Sequence, residues 1–337
     1  MPSIISDSIE KAVEILNREE LVAIPTETVY GLAGNIHSEK AILKIYALKK
    51  RPFFNPLIVH IHAMHQLGEL AQSIPEKAQL LADAFWPGGL TMVLKKQANV
   101  PSLVTSGKDT VAIRMPNHPV TLKLLKQLRF PLAAPSANPF GRISPTKASH
   151  VEAYFGERLP MVLDGGDCSS GIESTIIGFE NDEPVIYRLG AISVEDIEKI
   201  VGKVVLKNKK ETAPDAPGML SRHYAPLTKI YLTDNIAAFI KNFPDKKMGL
   251  LVFCKEIDAP QIVHQEVLSK KADLKEAAAQ LFAGLHYLDT LNLDMIVAER
   301  LPNFGLGLSI NDRLERATKE NEMPDLQDPK LLPPGHF

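Results

Sequence analysis

An apolar run at residues 21–24, LVAI, breaks off into Pro25-Thr26-Glu27-Thr28-Val29-Tyr30-Gly31, and a second run, Leu57-Ile58-Val59-His60-Ile61, follows. Between them Ser38 is placed to cap a helix whose Ile42, Ile45 and Tyr46 share one face. Two short apolar strands joined through an amphipathic helix commit a chain to a layered α/β sheet. The helix ends in Lys49-Lys50-Arg51, and Pro52 stops it from continuing. Gly31 and Gly34 permit a sharp turn or a close approach of the backbone. Hydroxyls at one strand end, beside a fixed cationic cluster, suit an anionic ligand.

The same alternation continues. A helix is expected at 75–85, ended by Trp86-Pro87-Gly88-Gly89, then strands at 90–94 and 111–115, a helix at 119–128 and a short strand at 131–134. Pro135-Ser136-Ala137-Asn138-Pro139 follows, then a helix from near Thr146, strands at 161–163, 174–179 and 185–188, and a helix at 193–201. Several consecutive strands among the helices predict a twisted, mixed open sheet. Residues 203–227, with four lysines, three prolines and a glycine, read as a linker. Beyond it the pattern restarts with strands at 229–232, 248–253, 261–264 and 294–298 and helices at 234–242, 272–289 and after 305. The expectation is a catalytic domain over 1–202, a linker or lid over 203–227, and a smaller α/β domain over 228–337, Rossmann-like in pattern only. A chain of 337 residues is long enough for two cores.

Bulk properties remove several classes. A formal charge of −2 disfavours general polyanion binding. Cys168 and Cys254 are too far apart in sequence for a CxxC site, and two cysteines make no disulfide framework. No apolar run approaches the roughly 20 residues of a membrane span. The first sixteen residues read as a capped amphipathic helix with Ile9, Ala12, Val13 and Leu16 inward, not as a signal peptide, so a reducing cytoplasm is expected.

Nucleotide signatures of the common kinds are missing. There is no G-x-x-x-x-G-K-[ST] loop, and Gly305-Leu306-Gly307-Leu308-Ser309 lacks the third glycine of a dinucleotide fingerprint. His60, His62 and His65 lie close in sequence but have no carboxylate or thiol at ligand spacing, so no metal site is assigned. Neither Ser136 nor Cys168 has a motif that would make it a nucleophile. What stands out is a set of cations at element ends, Lys49, Arg51, Arg114, Arg142 and Arg188. Each lies near a turn rich in hydroxyls: Thr26 and Thr28, Thr110, Ser136 and Asn138, Ser144, or Ser174 and Thr175. Any one such turn is explained by capping or by a solvated charge. Five in one domain favour an anion site.

PTETVYGLAGN, Lys49-x-Arg51-Pro52 with Asn55-Pro56-Leu57, Ala134-Pro135-Ser136-Ala137-Asn138 and Gly171-Ile172-Glu173-Ser174-Thr175-Ile176 together resemble the YrdC-like family. Pro217-Gly218-Met219, Arg222-His223-Tyr224-Ala225-Pro226 and the segment Gly305-Leu-Gly-Leu-Ser-Ile-Asn-Asp-Arg313 are similar to its long, two-domain form, the L-threonylcarbamoyladenylate synthases. The resemblance covers nearly the whole chain in order. It implies a nucleotidyltransferase that joins L-threonine, bicarbonate (or carbon dioxide) and ATP into threonylcarbamoyl-AMP and pyrophosphate. A tRNA threonylcarbamoyl transferase complex would then carry the group to the adenosine beside the anticodon, and direct tRNA contact is not required of the synthase itself.

By resemblance, Thr28, His60, Arg114 and Ser174 hold threonine, with Ala134 offering its main chain. Lys49, Arg51, Asn55, Thr110, Ser136, Asn138, Ser144 and Arg188 surround ATP, with Lys49 and Arg51 as the catalytic pair. Tyr224 closes over the site. Mg²⁺ would be carried with ATP, since no acidic cluster looks like a dedicated cage. The chain departs from the pattern at Leu220-Ser221, where relatives commonly carry a basic or aromatic pair. Two other readings fit a YrdC-like domain: a carbamoyl transferase, disfavoured by having only two cysteines, and a non-enzymatic RNA-binding module, disfavoured by near-neutral charge.

Overall fold

The structure is a computed structural model that describes residues 4–207 and 223–319. Lys209 and Lys210, the Pro217-Gly218-Met219 motif, Leu220-Ser221 and Arg222 lie outside the described residues. The strands of the first sheet are β1 (Ile5–Ser6), β2 (Val22–Ile24), β3 (Gly31–Asn35), β4 (Ile58–His60), β5 (Leu90–Lys95), β6 (Thr110–Arg114), β7 (Leu132–Ala133), β8 (Val162–Leu163), β9 (Thr175–Glu180), β10 (Glu183–Arg188) and β11 (Val205–Leu206). Their order is β1-β8-β2-β3-β7-β4-β6-β5-β9-β10-β11. Parallel pairs such as β4 with β6 sit beside antiparallel pairs such as β5 with β6, so the sheet is mixed, as the runs of consecutive strands imply.

Eight helices accompany this sheet: α1 (Ile9–Asn17), α2 (Glu39–Lys49), α3 (His65–Leu70), α4 (Glu76–Phe85), α5 (Ser102–Thr105), α6 (Pro119–Gln127), α7 (Ala148–Phe155) and α8 (Val194–Val201). Strand β2 shows why its residues are all apolar. Val22 and Ile24 pack with Ile9, Ala12 and Leu16 of α1 and Leu124 and Leu125 of α6. Ala23 lies in the other core, with Ile42, Ile45 and Tyr46 of α2 and Leu81 of α4. Alternate residues meet opposite layers, so both sheet faces are covered. Ser38 caps α2 by accepting from Ala41 N–H at 3.1 Å, and the helix stops at Lys50, which has φ 52°.

The second sheet is all parallel, in the order β12 (Ile230–Thr233), β15 (Met295–Glu299), β13 (Met248–Val252), β14 (Ile262–Val267). Its helices are α9 (Ile236–Lys241), α10 (Leu274–Leu288) and α11 (Leu306–Thr318). Helix α10 buries Leu281, Phe282 and Leu285 in a cluster that also takes Val29, Ile143 and Ile172 from the first sheet's loops. The two sheets therefore share apolar core. Gly171, at φ 67°, marks a close approach: a Cβ there would lie 2.4 Å from the Ala279 carbonyl oxygen of α10. Among the described residues no helix is long and apolar enough to cross a membrane.

Three details differ from the sequence reading. The N-terminal helix begins only at Ile9, because Ile5–Ser6 pairs with β8 instead. The glycine-rich stretch Gly31–Asn35 is a strand between β2 and β7; its glycines let Ala134 and Ile45 pack close against it. The first sheet also reaches Val205–Leu206, a few residues into the stretch read as linker.

Candidate active site

The loop between β2 and β3 is shaped by Thr26. Its hydroxyl donates to the Val29 carbonyl at 2.6 Å and accepts from the amides of Thr28 and Val29, each at 3.2 Å. This turn presents Thr28 to Arg114, whose Nη1 donates to Thr28 Oγ1 at 2.8 Å. Arg114 Nε donates to Gly88 O, and Nη2 lies 2.7 Å from Glu27 Oε1. That last contact is an ion pair by distance, but neither atom makes a well-directed hydrogen bond. Parallel pairing of β4 with β6 puts His60 beside Arg114. Burial, then the neighbouring Arg114, lowers the His60 pKa to about 3, so the ring is neutral.

A second group of cations lies past α2. Arg51 donates from Nε to Asn55 O at 3.0 Å and from Nη2 to Asn55 Oδ1 and Pro56 O, both at 2.7 Å. Burial lowers its pKa to about 10, still leaving it charged. Lys49 donates to the carbonyls of Ser136 and Asn138, each at 2.5 Å. Burial and then Arg51 hold its pKa well below the ordinary value, while Glu173 opposes them. Arg188 completes the set from the end of β10, donating to Ser174 O at 2.9 Å and Ser174 Oγ at 3.1 Å.

These groups surround one cleft. Of the residues the sequence singled out, Thr28, Arg51, His60, Arg114, Ala134, Ser136, Ser174, Arg188 and Tyr224 line it. Lys49 and Asn55 are buried alongside, acting on the backbone of the Ser136 turn and on Arg51. Asn138 donates to the carbonyls of Pro139 and Arg142, and Ser144 donates to Glu173 at 2.5 Å. Thr110 stands at the other end of β6 from Arg114, paired with Lys95, and is not in the wall. Arg142 pairs instead with Asp289 at the end of α10, at 3.1 Å.

His223 and Tyr224, at the described end of the stretch read as linker, also line the cleft. Tyr224 is 1% exposed and adopts φ 66°. Its ring stacks on Phe282, and the Arg313 guanidinium lies over the ring with its carbon 5.3 Å from the centroid. Ala225 N–H donates to Gly141 O at 2.9 Å, which fixes the strand side of this turn. His223 is buried among Lys49, Arg51, Arg316 and Arg188; burial first, then these charges, keep it neutral. Asn55 Nδ2, Asn138 Oδ1, His223 Nδ1 and Tyr224 Oη are buried without hydrogen-bond partners. Polar atoms left this way around a cationic cleft fit a polar anionic ligand.

The sequence assigned no role to Glu173, which lines the cleft, or to Glu27, buried against Arg114 behind its wall. Glu27 and Glu173 stand directly beside quoted hydroxyls, but the partner that makes Glu173 notable, Arg313, is 140 positions away. Counted by charge, Lys49, Arg51, Arg114 and Arg188 face Glu27 and Glu173, an excess of two cations. Chemically the arrangement can grip a carboxylate at the Thr28–Arg114 end and a polyphosphate at the Arg51–Arg188 end.

Comparison with known proteins identifies the relatives of this chain. Residues 14–190 match the Sua5, YciO and YrdC family described as "Telomere recombination", and residues 192–318 match the C-terminal domain of threonylcarbamoyl-AMP synthase. The chain is 40% identical to threonylcarbamoyl-AMP synthase of Pyrococcus abyssi over 321 residues, 91% of this chain and 93% of that one. It is 39% identical to the same-named protein of Bacillus subtilis, over 92% of each chain. The crystal structure of P. abyssi Sua5 complexed with L-threonine superposes with a TM-score of 0.86 at 40% identity, covering 92% of this chain and 94% of the other.

Proposed function

The chain belongs to the threonylcarbamoyl-AMP synthase family, and from that premise we propose how its cleft works. The protein is an enzyme that makes L-threonylcarbamoyl-AMP for threonylcarbamoyladenosine in tRNA. The observation that carries the reading is the meeting of the threonine-type pair, Thr28 with Arg114, and the phosphate-type cations, Arg51 with Arg188, in one cleft.

At the threonine end, Arg114 offers its fork to the amino-acid carboxylate, with Thr28, Ser174 and the Ala134 main chain fixing orientation. His60, neutral with Nδ1 held at Ile58 O (3.2 Å), serves as a hydrogen-bonding group rather than a general base, because its pKa lies too low to take up a proton at neutral pH. The threonine nitrogen forms a bond to the carbon of carbon dioxide drawn from bicarbonate and loses a proton. A carbamate oxygen then attacks the α-phosphorus of ATP, and pyrophosphate leaves with the electrons of the broken P–O bond.

Such in-line displacement asks the protein for positioning and neutralisation of charge. Arg51 and Arg188 supply the neutralisation, and Lys49 shapes the Ser136–Asn138 turn. Asn55, Asn138 and Ser144 frame the nucleotide through the contacts already described, and Thr110 reaches only its periphery. Among the described residues no three of His, Cys, Asp and Glu gather as a metal cage, and the carboxylates of Glu27 and Glu173 already face arginines. The residues therefore fit Mg²⁺ arriving on the triphosphate, where it would screen phosphate charge. Tyr224 excludes water from a hydrolysable product, which passes to a tRNA threonylcarbamoyl transferase complex.

Pyrophosphate release should require both threonine and bicarbonate. Mass spectrometry of the product made with ¹³C-bicarbonate should find the label in a threonylcarbamoyl adenylate. Release indifferent to threonine would sink the assignment.

A further inference from the structure

Helix α11 carries three charged side chains into the protein interior: Asp312, Arg313 and Arg316 are each at most 7% exposed. Burying charge is costly unless it is paired and hydrogen-bonded. Arg316 is taken up by Asp312, at 2.9 and 3.0 Å. Arg313, wholly buried, instead reaches out of its own domain: Nε lies 3.2 Å from Glu173 Oε2. Its remaining contacts are Ser309 O at 3.4 Å, Asp312 Oδ2 at 3.3 Å and the Tyr224 ring. Glu173 is thus held from two sides, by Ser144 through Oε1 and by Arg313 through Oε2.

Glu173 is out of place by charge. It lines the cleft, acts electrostatically on Lys49 and Arg188, and adjoins Ser174, which Arg188 grips. A bare carboxylate there would repel the phosphates that the cations attract. Helix α11 supplies what cancels it. Two further contacts tie the same helix to this corner: Ser309 Oγ donates to Gly190 O at 2.9 Å, and Arg316 O accepts from His223 N–H at 3.3 Å.

We propose that Arg313 is a positioning residue that the second domain contributes to the adenylation site, neutralising Glu173 so that the cleft accepts the triphosphate. The proposal rests on the synthase reading for the identity of that anion. It also gives the second domain a part in nucleotide binding: the first domain's cation excess works at full strength only while α11 is docked.

The test uses the full-length chain and calorimetric binding of Mg-ATP alongside steady-state kinetics. In Arg313→Met the Glu173 charge is exposed, and both the Kd and the KM for ATP should rise at least about fivefold while the KM for threonine changes little. Adding Glu173→Gln to that variant should restore ATP affinity to within about twofold, and Arg313→Lys should keep most of it. Glu173→Gln alone, which retains an acceptor for Ser144 and leaves Arg313 opposed only by Asp312, should bind ATP more tightly than the parent. This variant keeps the idea exposed to failure even if Arg313→Met does not fold. Unchanged ATP affinity in Arg313→Met, equal weakening toward threonine and ATP, absence of rescue in the double variant, or weaker ATP binding in Glu173→Gln would each overturn the proposal. Because affinity is read without turnover, failure of the parent chain to form a threonylcarbamoyl adenylate would count against the synthase reading alone.

Discussion

Arg51 illustrates how a single side chain is readied before any ligand arrives. Its Nε and Nη2 are tied to Asn55 and Pro56, so the guanidinium plane is fixed and little rotamer entropy remains to be lost. Arg51→Ala should lower kcat by about a hundredfold or more, the scale seen when one preorganised donor to developing charge is removed. Circular dichroism should show the fold intact, and near-normal turnover would take Arg51 out of the site. A pH effect belongs to this scale as well. His150 and His286 stack with centroids 3.9 Å apart where the two domains meet, and burial first of all lowers their pKa values to about 3 and about 4. Between those values and 6.5 the unfolded chain binds protons that the folded chain refuses. Their contribution to stability is therefore whole above about pH 6.5 and declines on acidification, by up to about 1.4 kcal/mol per pH unit for each. Melting temperature should fall from pH 7 to 4.5, and His286→Gln should flatten that slope.

Among elements, the loop carrying Gly171 joins the site to the second domain. Its positive φ and the nearness of the Ala279 carbonyl leave no room for a methyl group. Gly171→Ala should destabilise the protein by about 1–3 kcal/mol, seen as a lowered denaturation midpoint, and should weaken ATP use because Glu173 and Ser174 follow in the same loop. Legibility in the sequence also divides at this scale. Strands β5 and β6 and helices α4 and α10 were readable because their apolar spacing is a property of each segment alone. Strand β1, two residues long, and strand β3, with glycines where side chains would report periodicity, were not. Of the cleft, the hydroxyls and cations were legible as types at element ends. Their division into two ends is implied by the family resemblance and not by the spacing of the residues themselves, and the ion pair Glu173–Arg313 has no local signature on either side.

For the whole molecule, the domains are joined by shared core rather than by a tether alone. Val29, Ile143 and Ile172 pack against α10's cluster, and Arg142 pairs with Asp289. A chain ending after Lys207 would uncover those apolar residues and lose Tyr224 and Arg313 together. Its first sheet should still fold, with a lower melting temperature, and threonine-dependent pyrophosphate release should fall roughly tenfold or more. Full activity in that chain would mean that the first domain closes its own cleft.

Tyr224 holds a left-handed backbone conformation that costs a bulky residue on the order of 1–3 kcal/mol. Both neighbours are anchored, Ala225 N–H to Gly141 O and His223 N–H to Arg316 O at the longer distance of 3.3 Å. The closed position behaves as a cocked spring with a short stroke: Phe282 and Arg313 hold the ring in, and the backbone pushes it out. Unseating the ring then asks for rotation at Tyr224 and release of the His223–Arg316 hydrogen bond, a local change rather than a parting of the two sheets. Admission of nucleotide can accordingly proceed at the pace of a loop rather than that of a domain.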